Sequence, residues 1–318
     1  MLMKKTPNLW GHSLRRALWR VTLLIAGNLA GHAMAQTTTP LPSAASVEPG
    51  AVALLEKHAA LATQLAKSPY GRPLVLESSE TTSMVNGDAY AVLDSPYSVV
   101  SATLKSPGRW CDVMILHLNT KYCRATSEAN PSLLHVNIGK KTEQELADSF
   151  AFEFAFRLNA ASTNYLAAQL VADKGPLGTS NYRIELRAIP LPDGKTFMYL
   201  RYAYSYGMAG RLAMQSYLAT LGQGKVGFTQ INQGEKGVYV SGMRGAVERN
   251  TVRYYLAIEA YLASLGTPAA QQLDARLERW FDATEQYARQ LHELDKSSYM
   301  SMKKNEYRRQ QLGAGSTN

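Results

Sequence analysis

The sequence predicts an α+β fold in which an antiparallel sheet is covered by one long helix near the C-terminus, with an extra amphipathic helix after it. Three observations carry that prediction. Six strand-like runs, at 116–126, 132–139, 149–159, 164–173, 181–190 and 196–206, are joined by short connections, with turn chemistry at Asp173-Lys174-Gly175-Pro176 and Pro192-Asp193-Gly194. Two of the runs segregate their aromatics. In FAFEFAFRL, Phe150, Phe152, Phe154, Phe156 and Leu158 share one side, and in TFMYLRYAYSYGM, Met198, Leu200, Tyr202, Tyr204 and Tyr206 do. Finally, Met243, Val247, Tyr254, Ile258, Tyr261, Leu262 and Leu265 recur as one broad helical stripe between Met243 and Gly266.

Taken in order, the first 35 residues are organised as an export signal rather than as part of a fold. Lys4, Lys5, Arg15, Arg16 and Arg20 precede and flank the apolar run VTLLIAGNLA, and Ala33-Met34-Ala35 offers the small residues a signal peptidase reads. The run is too short to span a bilayer. SLRRALW fits the twin-arginine pattern poorly, and no cysteine follows the cleavage site for a lipid anchor. The expectation is cleavage after Ala35 and a periplasmic or secreted protein. Removing the leader's five basic residues takes the formal charge from +9 to +4, and residues 296–310 carry another +4, so the body is close to neutral. A nucleic-acid-binding domain needs a basic face, so no nucleic-acid partner is expected, and the basic tail reads as solvated. Cys111 and Cys123 are the two cysteines of the mature chain, and an oxidising compartment predicts a disulfide between them.

Residues 36–50, QTTTPLPSAASVEPG, read as a disordered lead-in. Residues 51–67 have helical spacing and end at Ser68-Pro69-Tyr70-Gly71. In LVLESSETTSMVNGDAYAVLD, Asn86-Gly87 between two strand-like runs signals a hairpin turn. SPYSVVSATLKSPGRWCDVMI, 95–115, reads as helical turns capped by Ser95 and broken at Ser106-Pro107-Gly108. After the strands, RLAMQSYLATLG suggests a helix stopped by Gly222, and Gly266-Thr267-Pro268 ends the long helix. Over 270–295, Leu273, Leu277, Trp280, Thr284, Tyr287, Leu291 and Leu294 step by four and three, a heptad-like seam that suits packing on the body or on a second copy.

The order of hairpin, helical break, meander and long helix, with SPYSVVSATLKSPGRW at 95–110 and GMRGAVERNTVRYYLAIEAYL at 242–262, resembles the START-like (SRPBCC, helix-grip) superfamily over roughly residues 70–266. The resemblance implies a curved sheet wrapped around the long helix, with a cavity between them for a lipid, sterol, polyketide or other apolar guest. A minority of members are enzymes, and no family catalytic motif transfers to these residues. The organisation expected is a leader 1–35, a lead-in 36–50, a START-like domain 51–266, and a C-terminal helix with basic tail 267–318.

The residues agree in kind with that expectation. An aromatic sheet face must be covered, and buried tyrosine hydroxyls want partners, which suits a partly wet pocket; a solid core is the competing reading. The candidate ligand-binding set is Phe152, Phe154, Phe156, Leu200, Tyr202, Tyr204, Tyr206, Val247, Tyr254 and Ile258, with Arg244 as a polar gate. Arg244, Glu248, Arg249 and Arg253 read first as a helix–sheet salt-bridge network, with the gate as the functional alternative. Arg183, Glu185 and Arg187, opposite the aromatic face, read as cross-strand ion pairs. GxGxxG after a strand, HExxH, CxxC and GxSxG are all absent, so no nucleotide, metal, cofactor or serine-type catalytic site is expected. The leading functional reading is an exported protein that binds an apolar small molecule or lipid. The alternatives are an envelope interaction protein working through 270–295, with its tail on a membrane surface or a second copy, and an enzyme acting on an aromatic or lipid substrate.

Overall fold

A computed structural model describes residues 48–126, 131–219, 224–231 and 237–315. The expected leader, nearly all of the lead-in, and Gly222 lie outside these residues. Helix α1 (Pro49–Ala66) starts slightly before its periodicity does, because Pro49 is pre-set for the first helical turn. Strands β1 (Leu74–Glu80) and β2 (Met84–Leu93) form the expected hairpin, but it turns at residues 81–83, and Asn86-Gly87 lies inside β2. Glycine is there for a different reason. The side chain of Thr251 sits over it, and a Cβ at residue 87 would collide with that side chain.

Helix α2 (Tyr97–Leu104) is preceded by Pro96 as its cap residue rather than Ser95, whose carbonyl accepts the Thr196 hydroxyl at 2.7 Å. Helix α3 (Pro107–Met114) restarts at Pro107, and Trp110 Nε1 donates back to the Leu104 carbonyl at 2.9 Å, fixing the two helices together. The meander follows as β3 (Thr120–Thr126), β4 (Ser132–Ile138), β5 (Phe150–Ala161), β6 (Leu166–Lys174), β7 (Thr179–Pro190) and β8 (Thr196–Tyr206). All eight strands pair antiparallel in the order β1-β2-β8-β7-β6-β5-β4-β3, so the hairpin joins the last meander strand and the sheet curls without closing. Cys111 of α3 and Cys123 of β3 form the expected disulfide, with Cα atoms 5.1 Å apart.

Helix α4 (Met208–Ala219) precedes the long helix α5 (Gly242–Ser264), which lies in the curl along β1, β2 and β8. More of α5 is buried than its stripe predicts, including Glu248, Arg249 and Arg253. The causes are helix α6 (Gln272–Glu285), whose Trp280 Nε1 donates to the Arg253 carbonyl at 3.1 Å, and the 226–229 segment, which receives Glu248 and Arg249. The outer sheet face also departs from expectation. Arg183 is exposed and Arg187 pairs with Glu185, but α1 covers the other end of that face with Leu54, Leu61 and Leu65 on Ile189, Phe197 and Tyr199. Tyr199 is buried there and donates to Asp88, which Arg201 grips through both carboxylate oxygens at 2.7 and 3.0 Å.

The helix expected over 270–295 is broken into α6 and the short α7 (Ala288–Leu291), and a further helix, α8 (Lys296–Gly315), follows. Asp295 starts α8 by accepting the Ser297 hydroxyl at 2.5 Å and the Ser298 backbone N–H and hydroxyl at 2.9 and 2.7 Å, and these hydrogen bonds hold its carboxyl below the usual carboxylate range. The seam is consumed within the chain. Leu277, Trp280, Thr284 and Leu291 are buried, with Leu273, Tyr287 and Leu294 packed at the margin. The basic segment expected to be solvated is instead the helix α8, docked on β3, with Tyr299 stacked on Trp280 and bonded to the Leu116 carbonyl at 2.9 Å. Lys303 is fully buried.

Candidate functional site

Because α5 runs along β1, β2 and β8, the inner face of β5 and β7 is left partly uncovered, and a cavity of about 140 Å³ lies there. Its deep walls are Phe154 of β5, Tyr182 of β7, Tyr202 and Tyr204 of β8, Tyr254 of α5, and His117 from the α3–β3 connection. Half-buried Asn119, Ile138, Phe152 and Pro176 form the outer rim, and Asn250 lies one helical turn before Tyr254. Tyr182 organises the rings. It stacks on Tyr204 at 5.2 Å and touches Tyr202 at 6.2 Å, Phe152 at 5.9 Å and Phe154 edge-on at 6.3 Å. Its hydroxyl is bonded to Thr179 at 2.9 Å.

Local sequence explains the assembly. Alternation along β5, β7 and β8 turns these rings inward, and the turn after β6 uses Gly178 at φ 75° to bring Pro176 to the rim. The lining holds no Asp, Glu, Lys or Arg. Burial raises the Tyr202, Tyr204 and Tyr254 hydroxyls above their ordinary value, with neighbouring tyrosines adding to the effect, so all three are neutral phenols at pH 7. Burial first, and then the positive charges of Arg253, Lys303 and Lys141, push His117 well below its usual range, so it too is neutral. General acid–base chemistry needs groups tuned near the working pH; this lining presents an uncharged, ring-rich surface instead.

Five of the residues expected at a binding site line this cavity, namely Phe152, Phe154, Tyr202, Tyr204 and Tyr254. Phe156, Leu200, Val247 and Ile258 are close-packed core beside it. Tyr206 is bonded to the Thr81 carbonyl at 2.9 Å, and Arg244 Nε to Ser78 at 2.8 Å, both away from the lining. The polar start of α5 is a network. Glu248 accepts the backbone N–H of Thr229 at 2.9 Å and its hydroxyl at 2.7 Å, Arg249 donates to the Val226 carbonyl at 3.1 Å, and Arg253 donates to Glu293 at 2.8 Å. Sequence reasoning missed His117, Asn119, Ile138, Pro176, Tyr182 and Asn250. Tyr182 was readable, since it alternates with inward Ile184 and Leu186, and Asn250 lies four before Tyr254 on the helix; His117, on an irregular connection, carried no periodic signal.

A second hollow of about 380 Å³ lies between α5, α6 and the β2–α2 connection. Its carboxylates are engaged by lysine or arginine partners, Asp94 with Lys195, Glu259 with Arg72 and Asp282 with Lys296. Among the described residues no group of three or more His, Cys, Asp or Glu is placed to hold a metal ion.

No protein-family model matches the chain, and no curated protein matches it. Solved structures are similar to it at low identity. The aromatase/cyclase Zhui from Streptomyces sp. R1128 shares 12% identity over 62% of this chain and 94% of its own, with a TM-score of 0.34. Norcoclaurine synthase from Thalictrum flavum shares 10% over 45% and 91%, with a TM-score of 0.32. Human StAR-related lipid transfer protein 5 shares 11% over 53% and 89%, with a TM-score of 0.31. The antiparallel strand order, the open curl and the long helix described above match the α+β arrangement expected from the sequence.

Proposed function

We propose that this chain is an exported binding protein that takes a small, uncharged aromatic molecule into the cavity between the meander and α5. The observation that carries the reading is a charge-free cavity of about 140 Å³ walled by five aromatic rings and a neutral imidazole. That volume is close to the roughly 150 Å³ of an apolar cavity that admits benzene, and below the roughly 300 Å³ at which drug-sized pockets begin. The expected guest class is therefore narrowed to ring-sized molecules; a whole lipid exceeds this space. A ring burying roughly 150–200 Å² gains about 4–5 kcal/mol before ordering costs, so affinity for a bare ring is weak. Export rests on the leader pattern of residues 1–35 and is supported by the buried Cys111–Cys123 disulfide. Burial of the 270–295 seam within its own chain argues for the C-terminal helices as part of the core rather than as a partner surface.

The test is a toluene titration of methyl-labelled protein recovered from the periplasm or medium of its host. The expected result is a chain whose mass begins at Gln36, with a saturable shift of the Ile138 methyl at the rim. Ile258, in the packed core, should shift little. A chain retaining residues 1–35 overturns export, and a non-saturating response at Ile138 overturns the cavity reading.

A further inference from the structure

Beside the rings, one corner of the cavity is polar. His117, Asn250 and Tyr202 meet around the Tyr254 ring, whose centroid lies 5.0 Å from that of His117 and 5.4 Å from that of Tyr202. The protonation pattern of His117 follows from its own turn. Its Nδ1 accepts the Asn119 backbone N–H at 3.2 Å, so in the neutral imidazole the proton is on Nε2. That Nε2–H is buried with no partner in hydrogen-bonding geometry. Asn250 is close enough to act on both the imidazole and the Tyr202 hydroxyl.

The inventory of this corner is unbalanced. The imidazole brings one N–H, the Asn250 amide two, and the Tyr202 hydroxyl one, and all three groups are uncharged. The His117 Nε2–H has no acceptor in place, and even if the Asn250 carbonyl took the imidazole N–H and the Tyr202 oxygen took one amide N–H, only two of the four donors would be answered. The corner is therefore left with donors that its own acceptors do not answer. A purely hydrocarbon guest would seal those donors away from water, which is costly, whereas a guest with a lone pair would answer them. We propose that the cavity selects a ring bearing an uncharged hydrogen-bond acceptor, which docks at the corner formed by His117, Asn250 and Tyr202. This rests on the reading of the cavity as a binding site and adds the chemistry by which it selects.

Benzonitrile and phenylacetylene separate the two ideas, because they share a shape and differ in the acceptor. By methyl-shift titration the protein binds benzonitrile about tenfold more tightly than phenylacetylene, the worth of one neutral hydrogen bond. The nitrile stretch of the bound probe shifts as it does for a hydrogen-bonded nitrile. Tyr202→Phe removes only the hydroxyl, and Asn250→Leu removes the amide. Each brings the ratio toward unity while phenylacetylene still binds. A wild-type ratio near one, or a ratio that neither variant changes, overturns the selection rule while leaving the cavity reading intact. Failure of both probes to bind overturns both.

Discussion

Replacing Glu306 with glutamine lowers stability by about 3–5 kcal/mol and the melting temperature by on the order of 10 °C. Glu306 is buried between Lys121 and Lys303, both fully buried, and accepts from Lys121 Nζ at 2.9 Å while contacting Lys303. Lys303 also donates to the His117 and Thr120 carbonyls at 3.0 and 2.7 Å, and Lys121 to the Thr142 carbonyl at 2.9 Å. One carboxylate thus answers two ammonium groups, and this cluster fastens α8 to the segment that carries His117. Glutamine keeps the shape but leaves two buried positive charges without a counter-charge, which is why the effect exceeds that of a surface pair.

The pH dependence identifies the mechanism. Burial pushes Lys303 down to about 8 from its ordinary 10.5, against the pull of Glu306, and lowers Lys121 for the same first reason. Between the lowered native value and 10.5 the unfolded chain binds more protons than the native one, so the lysines' contribution to stability rises with pH across that window. Loss of the carboxylate lowers both native values further and widens the window toward neutral pH. The deficit of Glu306→Gln in urea unfolding should therefore be largest near pH 7 and shrink toward pH 10. A deficit below about 1 kcal/mol, or one independent of pH, contradicts this account.

Removing the disulfide is the second large effect. The double variant Cys111→Ala, Cys123→Ala should lose about 3 kcal/mol, because the bond closes a short loop and limits the unfolded chain. Cys111 and Cys123 are separated by 12 positions, and both are buried. The loop they close contains the α3–β3 connection, so its loss also loosens His117 and Asn119 at the cavity wall. Unfolding midpoints of the oxidised protein and the double variant check the first point. Faster amide exchange at residues 115–119 in the variant checks the second. An unchanged midpoint contradicts the assignment.

The legible parts of this fold were those governed by local periodicity. The strands of the meander lie within a few residues of where alternation and turn chemistry put them, and the aromatic face of β8 points inward as written in Met198, Leu200, Tyr202, Tyr204 and Tyr206. What was hidden depended on which partner arrives. Asn86-Gly87 looks like a turn, and only Thr251 of α5 packing over Gly87 reveals it as a crossing point. The side of α5 that looked polar is buried because α6 and the 226–229 segment cover it, and Lys303 looked like part of a solvated tail until Glu306 and three backbone carbonyls answered the lysine pair. The site divides the same way. Rings on β5 and β8 were seen and Tyr182 of β7 could have been, whereas His117, set by a turn between α3 and β3, carried no such signal.

The central claim is that a ring-sized space survives between β5, β7, β8 and α5. Iodobenzene diffused into crystals of the protein tests it directly through the anomalous signal of iodine. The account predicts one ordered site bounded by Phe154, Tyr182, Tyr204 and Tyr254, with those side chains displaced little. Iodine found only at the surface or in the hollow between α5 and α6, with the tyrosines closed against one another, would contradict it.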